Sequence, residues 1–335
     1  MEVFIYTSQT AHGIIVIVDN LVKAFQRKGV ACSHITSLKD RSKDDIIIPY
    51  GIKEATEVIR KGFKPHIAFL ADAISLGYLN KIKHYLCIGH VFNYDFWYSI
   101  YGYLRYSQSE KMVSNYYKYI ILVSNLDIEY MKKKYTQSKC NYICAPNGAP
   151  SIGEIKPHVK SDFFRLGILS PWGTRQTFEE SNWFVKHYFV KYHQEHPDVI
   201  LKIAGRGSLS NRFKGLPGVE VIGEVDNLAD FFANIDVFVS SNPKGCGILN
   251  RVLDAFMYRV PVLGHKASFS GFPNSDDICY KFKDYQSFNK AVSKIIGDPD
   301  EASKRVELAT NYVLKHHDWE RNYKELISKL DIFSV

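Results

Sequence analysis

SSNPKGCGILNRVLDAFMYRVPVLG, Ser240 to Gly264, joins a glycine-bearing loop to a segment of helical spacing that carries one carboxylate and one arginine. Gly245 and Gly247 let the backbone turn tightly. The run from Ile248 to Tyr258 can then present N–H groups and a positive dipole end to an anion. Arg251 and Asp254 stand three apart, so on a helix they occupy neighbouring positions of one face. The carboxylate suits the two hydroxyls of a ribose, and the arginine suits a fork on phosphate oxygens. Together they suggest a nucleotide.

Outward from this block the chain alternates. Short apolar runs at Val3–Tyr6, Ile46–Ile48, His66–Leu70, Tyr85–Ile88, Tyr119–Val123 and Asn141–Ala145 are separated by segments long enough for helices. This pattern predicts a parallel sheet with helices on both faces. The helix after the first run is the clearest, with Ile15, Val18, Leu21, Val22 and Phe25 on one face and Gly29 closing it. Pro146 to Pro157 holds three prolines and two glycines and reads as a linker. The alternation restarts with Arg165–Leu169, Val199–Ala204, Val219–Ile222, Val237–Ser240 and Val260–Leu263. The expectation is an α/β protein of two Rossmann-like domains facing across a cleft. Residues 1–150 form the first and 158–315 the second.

G-I-x-N-R-V-L-D-A-F-x-x-x-V-P-V, from Gly247 to Val262, resembles the donor-site signature of glycosyltransferase family 4, nucleotide-sugar enzymes of the GT-B architecture. ILKIAGRGSL at 200–209, VEVIGEVDNLADFFANIDVFVSS at 219–241 and APNGAP at 145–150 resemble further family segments in the same order. The resemblance implies that residues 316–335 cross back to the first domain as a helix, with the crossing at Trp319 to Leu330. It also implies transfer from a nucleoside diphosphate sugar, as co-substrate and with no other cofactor, to a glycan or lipid-linked acceptor hydroxyl. Retention at the anomeric carbon is implied too. Arg175 and Arg251 would hold the diphosphate and, with His90 beside the donor sugar, form the catalytic set. Two cations and a helix end already offset the leaving group's charge, so no metal is expected. Gly13, Gly205, Arg206, Gly223, Val225, Gly247, Ile248 and Asp254 complete the donor contacts.

The chain departs from the family pattern in one respect. Relatives commonly carry a glutamate in the loop and another within the helix; here the helix has Asp254, and the loop offers Asn242, Lys244 and Cys246. The choice of hexose is thereby left open. A non-catalytic nucleotide-binding or scaffold subunit, and an epimerase or hydrolase on the same fold, stay open as alternatives.

Composition narrows the class further. Hydrophobic residues are 46% and charged residues 23%, which argues against disorder. The longest aliphatic runs fall far below the ~20 residues that cross a bilayer. MEVFIYTSQ reads as a first strand and not a secretory leader, so the expectation is a cytoplasmic protein. The six cysteines lack a second Cys or His pair at zinc spacing. Residues 1–150 hold 19 Lys and Arg against 12 Asp and Glu, while the remainder is nearly balanced. That asymmetry fits peripheral contact with an anionic membrane, at its inner face, or a lipid-diphosphate acceptor; a solvated basic face fits equally. No nucleic-acid reader motif accompanies the charge. VFNYDFWYSIYGYLRYSQSEKM, after His90, has eight aromatic residues between Phe92 and Tyr106, suited to a membrane surface, an acceptor groove or an aromatic core helix.

Overall fold

The computed structural model describes residues 2–9, 12–149, 152, 155–243 and 245–330, without the side chains of His12 and Gln176. The chain divides into two compact units. The first takes Met1–Gly148, Lys244–Ile248 and His316–Val335; the second takes Ala149–Pro243 and Leu249–Lys315.

The first unit contains six parallel strands: β1 (Glu2–Tyr6), β2 (Ala31–Ile35), β3 (Ile46–Pro49), β4 (Ile67–Ala71), β5 (Tyr119–Leu122) and β6 (Asn141–Cys144). They pair in the orders β2-β1-β3 and β4-β5-β6. A parallel bridge between Tyr50 and Phe69 connects the two sets. Successive residues of one strand enter opposite cores. Ile67, Phe69 and Ile121 pack on one face, while Ala68, Leu70, Ile120 and Leu122 pack on the other. A strand buried on both faces needs apolar residues at every position, so these segments read as runs and not as alternation.

Helix His12–Arg27 buries Ile17, Val18, Leu21 and Phe25, and Gly29 takes φ 75° just past its end. That left-handed position favours glycine. Helix Trp319–Ser328 returns to the same core, where Tyr323, Leu326 and Ile327 are buried beside Val3 and Phe25.

The second unit has one six-stranded parallel sheet: β7 (Phe164–Leu169), β8 (Val199–Ala204), β9 (Val219–Gly223), β10 (Val237–Ser240), β11 (Val262–His265) and β12 (Tyr280–Phe282). Its order is β9-β8-β7-β10-β11-β12. The chain winds outward in one direction from β7 and in the other from β10. The gap above the carboxyl ends of those two strands is therefore the topological switch point, where open α/β sheets hold ligands.

Three elements differ from the sequence expectation. Tyr85–Ile88 is not a strand: residues 85–87 end the helix Ile74–Cys87. The N–H of His90 donates to Tyr85 O at 2.9 Å, that of Gly89 donates to Leu86 O at 3.3 Å, and Gly89 has φ 71°. These bonds form the Schellman closure of a helix. β2 carries Cys32, Ser33 and His34 at the sheet edge, and β12 has only three residues; neither reads as an apolar run.

Candidate active site

The crevice at the switch point is lined by Leu169 and Ser170 at the end of β7, Ser240, Ser241 and Asn242 at the end of β10, Glu180 and Ser181, and Arg251. The loop after β7 is fixed by its neighbours. The N–H of Ser170 donates to Ala204 O at 3.0 Å, Trp172 N to Arg206 O at 2.6 Å, and Gly205 N to Gly223 O at 2.7 Å. Trp172 is fully buried, its Nε1 donates to Ala204 O at 2.8 Å, and its ring meets Phe213 edge-on at 5.7 Å. Gly205 has φ 126°, and a Cβ there would lie 1.9 Å from Ser170 O. The backbone approaches so closely that no side chain fits. On the other side, Ser268 Oγ donates to Ser240 O at 3.2 Å and to Asn242 O at 2.6 Å, holding the loop after β10.

Arg251 lies in the first turn of helix Asn250–Met257, whose N-terminus has no side-chain cap. Its Nη1 donates to Ser170 Oγ and, at 3.3 Å, to Leu169 O. Burial lowers the pKa of Arg251, and the carboxylates of Glu180 and Asp254 oppose that shift. A guanidinium anchored on two acceptors at one edge keeps further N–H groups for an anion. Asp254, one turn on, is half-buried; burial pushes its pKa up to about 7, with Arg251 acting in the opposite direction. Ser240 Oγ is buried and has no hydrogen-bond partner among the described residues. Such a hydroxyl suits a polar ligand or a water.

The remaining residues singled out in the sequence lie as follows. Arg175 opens helix Arg175–Phe184, the helix that also supplies Glu180; its side chain is 63% exposed, with Nε 3.9 Å from Glu179 Oε1. Arg206 is 81% exposed and its Nε donates to Glu224 Oε1 at 2.7 Å. Gly223 ends β9 with φ 88°, and Val225 follows half-buried. Gly13 is exposed in the first turn of helix His12–Arg27, and His90 is half-buried beyond its helix end.

The glycine loop behaves differently from Arg251. Lys244–Ile248 clusters with the first unit. Gly247 N donates to Asp127 Oδ2 at 2.9 Å, and Asn80 Nδ2 donates to Gly245 O at 2.8 Å. Gly247 has φ 64°, and a Cβ there would stand 1.9 Å from Asp72 Oδ1. Ile248 packs against the core of the first unit. The amide expected to meet a phosphate thus meets a carboxylate. Asp127 is buried and also accepts from Ala73 N at 3.0 Å; burial raises its pKa against these donors.

Glu180, Ser170, Ser181, Ser240 and Ser241 were not singled out by motif. Their shared signal is position, since all but Glu180 and Ser181 follow or end the two strands flanking a switch point.

Residues 173–298 match the family Glycosyl transferases group 1. No curated protein sequence matches the chain. Sucrose-phosphate synthase from Thermosynechococcus elongatus superposes with a TM-score of 0.70 at 13% identity, over 98% of each chain. HepE of Anabaena, solved with UDP, gives 0.65 at 11% identity, over 98% of this chain and 99% of that one. A glycosyltransferase from Rickettsia africae gives 0.62 at 11% identity, over 98% and 97%. At these identities the structural likeness establishes the fold. With a group 1 domain in the second unit and that fold throughout, the chain is a glycosyltransferase of the GT-B kind.

Proposed function

We propose that the second unit holds a nucleoside diphosphate sugar at the switch-point crevice and that the sugar passes to a hydroxyl of a glycan or lipid-linked acceptor. The observation that carries this is Arg251, anchored on Ser170 and Leu169 O at the crevice wall, with Asp254 one turn behind it. In this reading Arg251 stabilises the charge that develops on the diphosphate as the glycosidic bond breaks. Asp254 accepts the ribose hydroxyls. Arg175 joins as a second cation once its guanidinium leaves Glu179, and two arginines then offset the leaving group without a metal. Retention of anomeric configuration, and His90 beside the sugar, are carried over from the family resemblance. UDP bound to HepE, a protein of the same fold, makes UDP the first nucleotide to try.

Calorimetry with UDP, GDP and TDP tests the reading. Binding of one nucleotide, lost in Arg251→Ala while the melting transition is kept, supports it. Equal binding by Arg251→Ala, or binding of none, overturns it.

A second reading is favoured by the loop itself, where Asn242 and Cys246 are buried, no carboxylate faces the crevice from the described loop residues, and Gly247 N is held by Asp127. A nucleotide-binding subunit without transferase activity would bind UDP yet consume no donor with any acceptor. Donor loss in the absence of acceptor would instead indicate hydrolysis or epimerisation.

A further inference from the structure

On the first unit, helix Ile52–Arg60 and helix Tyr94–Tyr116 leave a groove between them lined by Lys53, Thr56, Arg60, Arg105, Gln108 and Ser109. Lys53, Arg60 and Arg105 are exposed, and among the described residues neither Arg60 nor Arg105 has a salt-bridge partner. Glu57, on the same helix as Arg60, is taken by Lys61 at 2.8 Å and by the Tyr6 hydroxyl at 2.7 Å. The Thr56 hydroxyl donates to Lys53 O at 2.8 Å, so three cations and the Ser109 hydroxyl remain around the groove for the oxygens of a phosphate.

The same helix carries a second feature toward its N-terminus. Tyr94, Trp97, Tyr98, Tyr101 and Leu104 recur at spacings of three and four, all between 45% and 62% exposed, and Arg105, Gln108 and Lys111 continue the face. Phe92, just before the helix, is 97% exposed. The stripe from Tyr94 to Leu104 is about 15 Å long at 1.5 Å per residue. The only acid on the helix near the cations, Glu110, is buried and accepts from Ser75 N at 2.8 Å. The exposed face therefore passes from aromatic to cationic with no anion between them.

We propose that this face docks on an anionic phospholipid surface, with headgroup phosphate in the Arg60–Arg105 groove and the aromatic stripe at the headgroup boundary. Tyr and Trp have an apolar body and a polar tip, which suits that boundary better than a dry protein core. Asp95, in the first turn, is the one acid at the aromatic end and is half-buried, so cations outnumber acids along the face, and the basic balance of residues 1–150 adds to the attraction of a negative surface. The proposal stands on the first unit alone and does not depend on the reaction at the crevice.

The test uses the full chain with phosphatidylcholine vesicles, with and without phosphatidylglycerol. Sedimentation with the mixed vesicles, a blue shift of tryptophan emission and little binding to pure phosphatidylcholine are expected. The double variant Arg60→Gln with Arg105→Gln should lower partition about 25-fold, at roughly fivefold per cation near the surface. Trp97→Ser with Tyr101→Ser should lower it on the same vesicles and remove the emission change, while both variants keep the wild-type melting temperature. Absence of wild-type binding to mixed vesicles overturns the proposal. So does a silent aromatic variant combined with competition by inorganic phosphate, since the groove would then be a site for free phosphate only.

Discussion

Arg251 and Arg105 carry the same charge on two helices and do opposite things with it. Arg251 is drawn inside, tied to Ser170 and a strand-end carbonyl, and flanked by Glu180 and Asp254. Arg105 stands in solvent across the groove from Arg60, with no salt-bridge partner among the described residues. A desolvated and oriented guanidinium acts through geometry, because each N–H has a fixed direction and the local dielectric is low. An exposed one acts through its field, which salt screens within about 10 Å. The difference predicts how each responds to substitution.

The largest effect is expected at Arg251. Arg251→Ala should cut transfer by about 10²-fold or more, and Arg251→Lys should recover little, because a point charge does not reproduce the fork. Steady-state rates with the nucleotide identified by calorimetry check this, and a lysine variant at wild-type rate would erase the distinction from Arg105. Next is the wall that aims Arg251. Gly205→Ala places a Cβ on Ser170 O at a positive φ, so the second unit should lose several kcal/mol of stability, seen as a lower unfolding midpoint.

A smaller effect is expected from pH. The folded pKa of Asp254, about 7, lies above its unfolded value of 3.8. Its stabilising contribution is therefore complete below the unfolded value and is lost as pH rises through about 7. Nucleotide affinity runs the other way, rising through the same window as the carboxylate ionises and accepts the ribose hydroxyls. Asp254→Asn should flatten both curves, measured by thermal unfolding and calorimetry across that window. Smallest is Arg60→Gln with Arg105→Gln in the absence of vesicles, which should change stability by about 0.5 kcal/mol or less. A large loss there would mean that those arginines are structural.

The sequence disclosed the second sheet well, because strands covered on both faces leave unbroken apolar runs such as Val237–Ser240. It disclosed Arg251 and Asp254 through their spacing on one helix. It misled at Tyr85–Ile88, where four apolar residues close a helix and Leu86 is exposed. The partner of the Gly247 amide was out of reach of any motif, since Asp127 lies 120 positions away. Glu180 was equally hidden, because its role comes from which helix stands beside the switch point.

The helix Trp319–Ser328 has a consequence for biosynthesis. Its Tyr323, Leu326 and Ile327 complete a core that includes Val3, so strand β1 waits for a helix translated long after it. The second unit, whose segments are all translated earlier, can fold on the ribosome while the earlier-made unit still exposes an apolar face. A nascent chain stalled before Trp319 would thus be the form that most needs a chaperone.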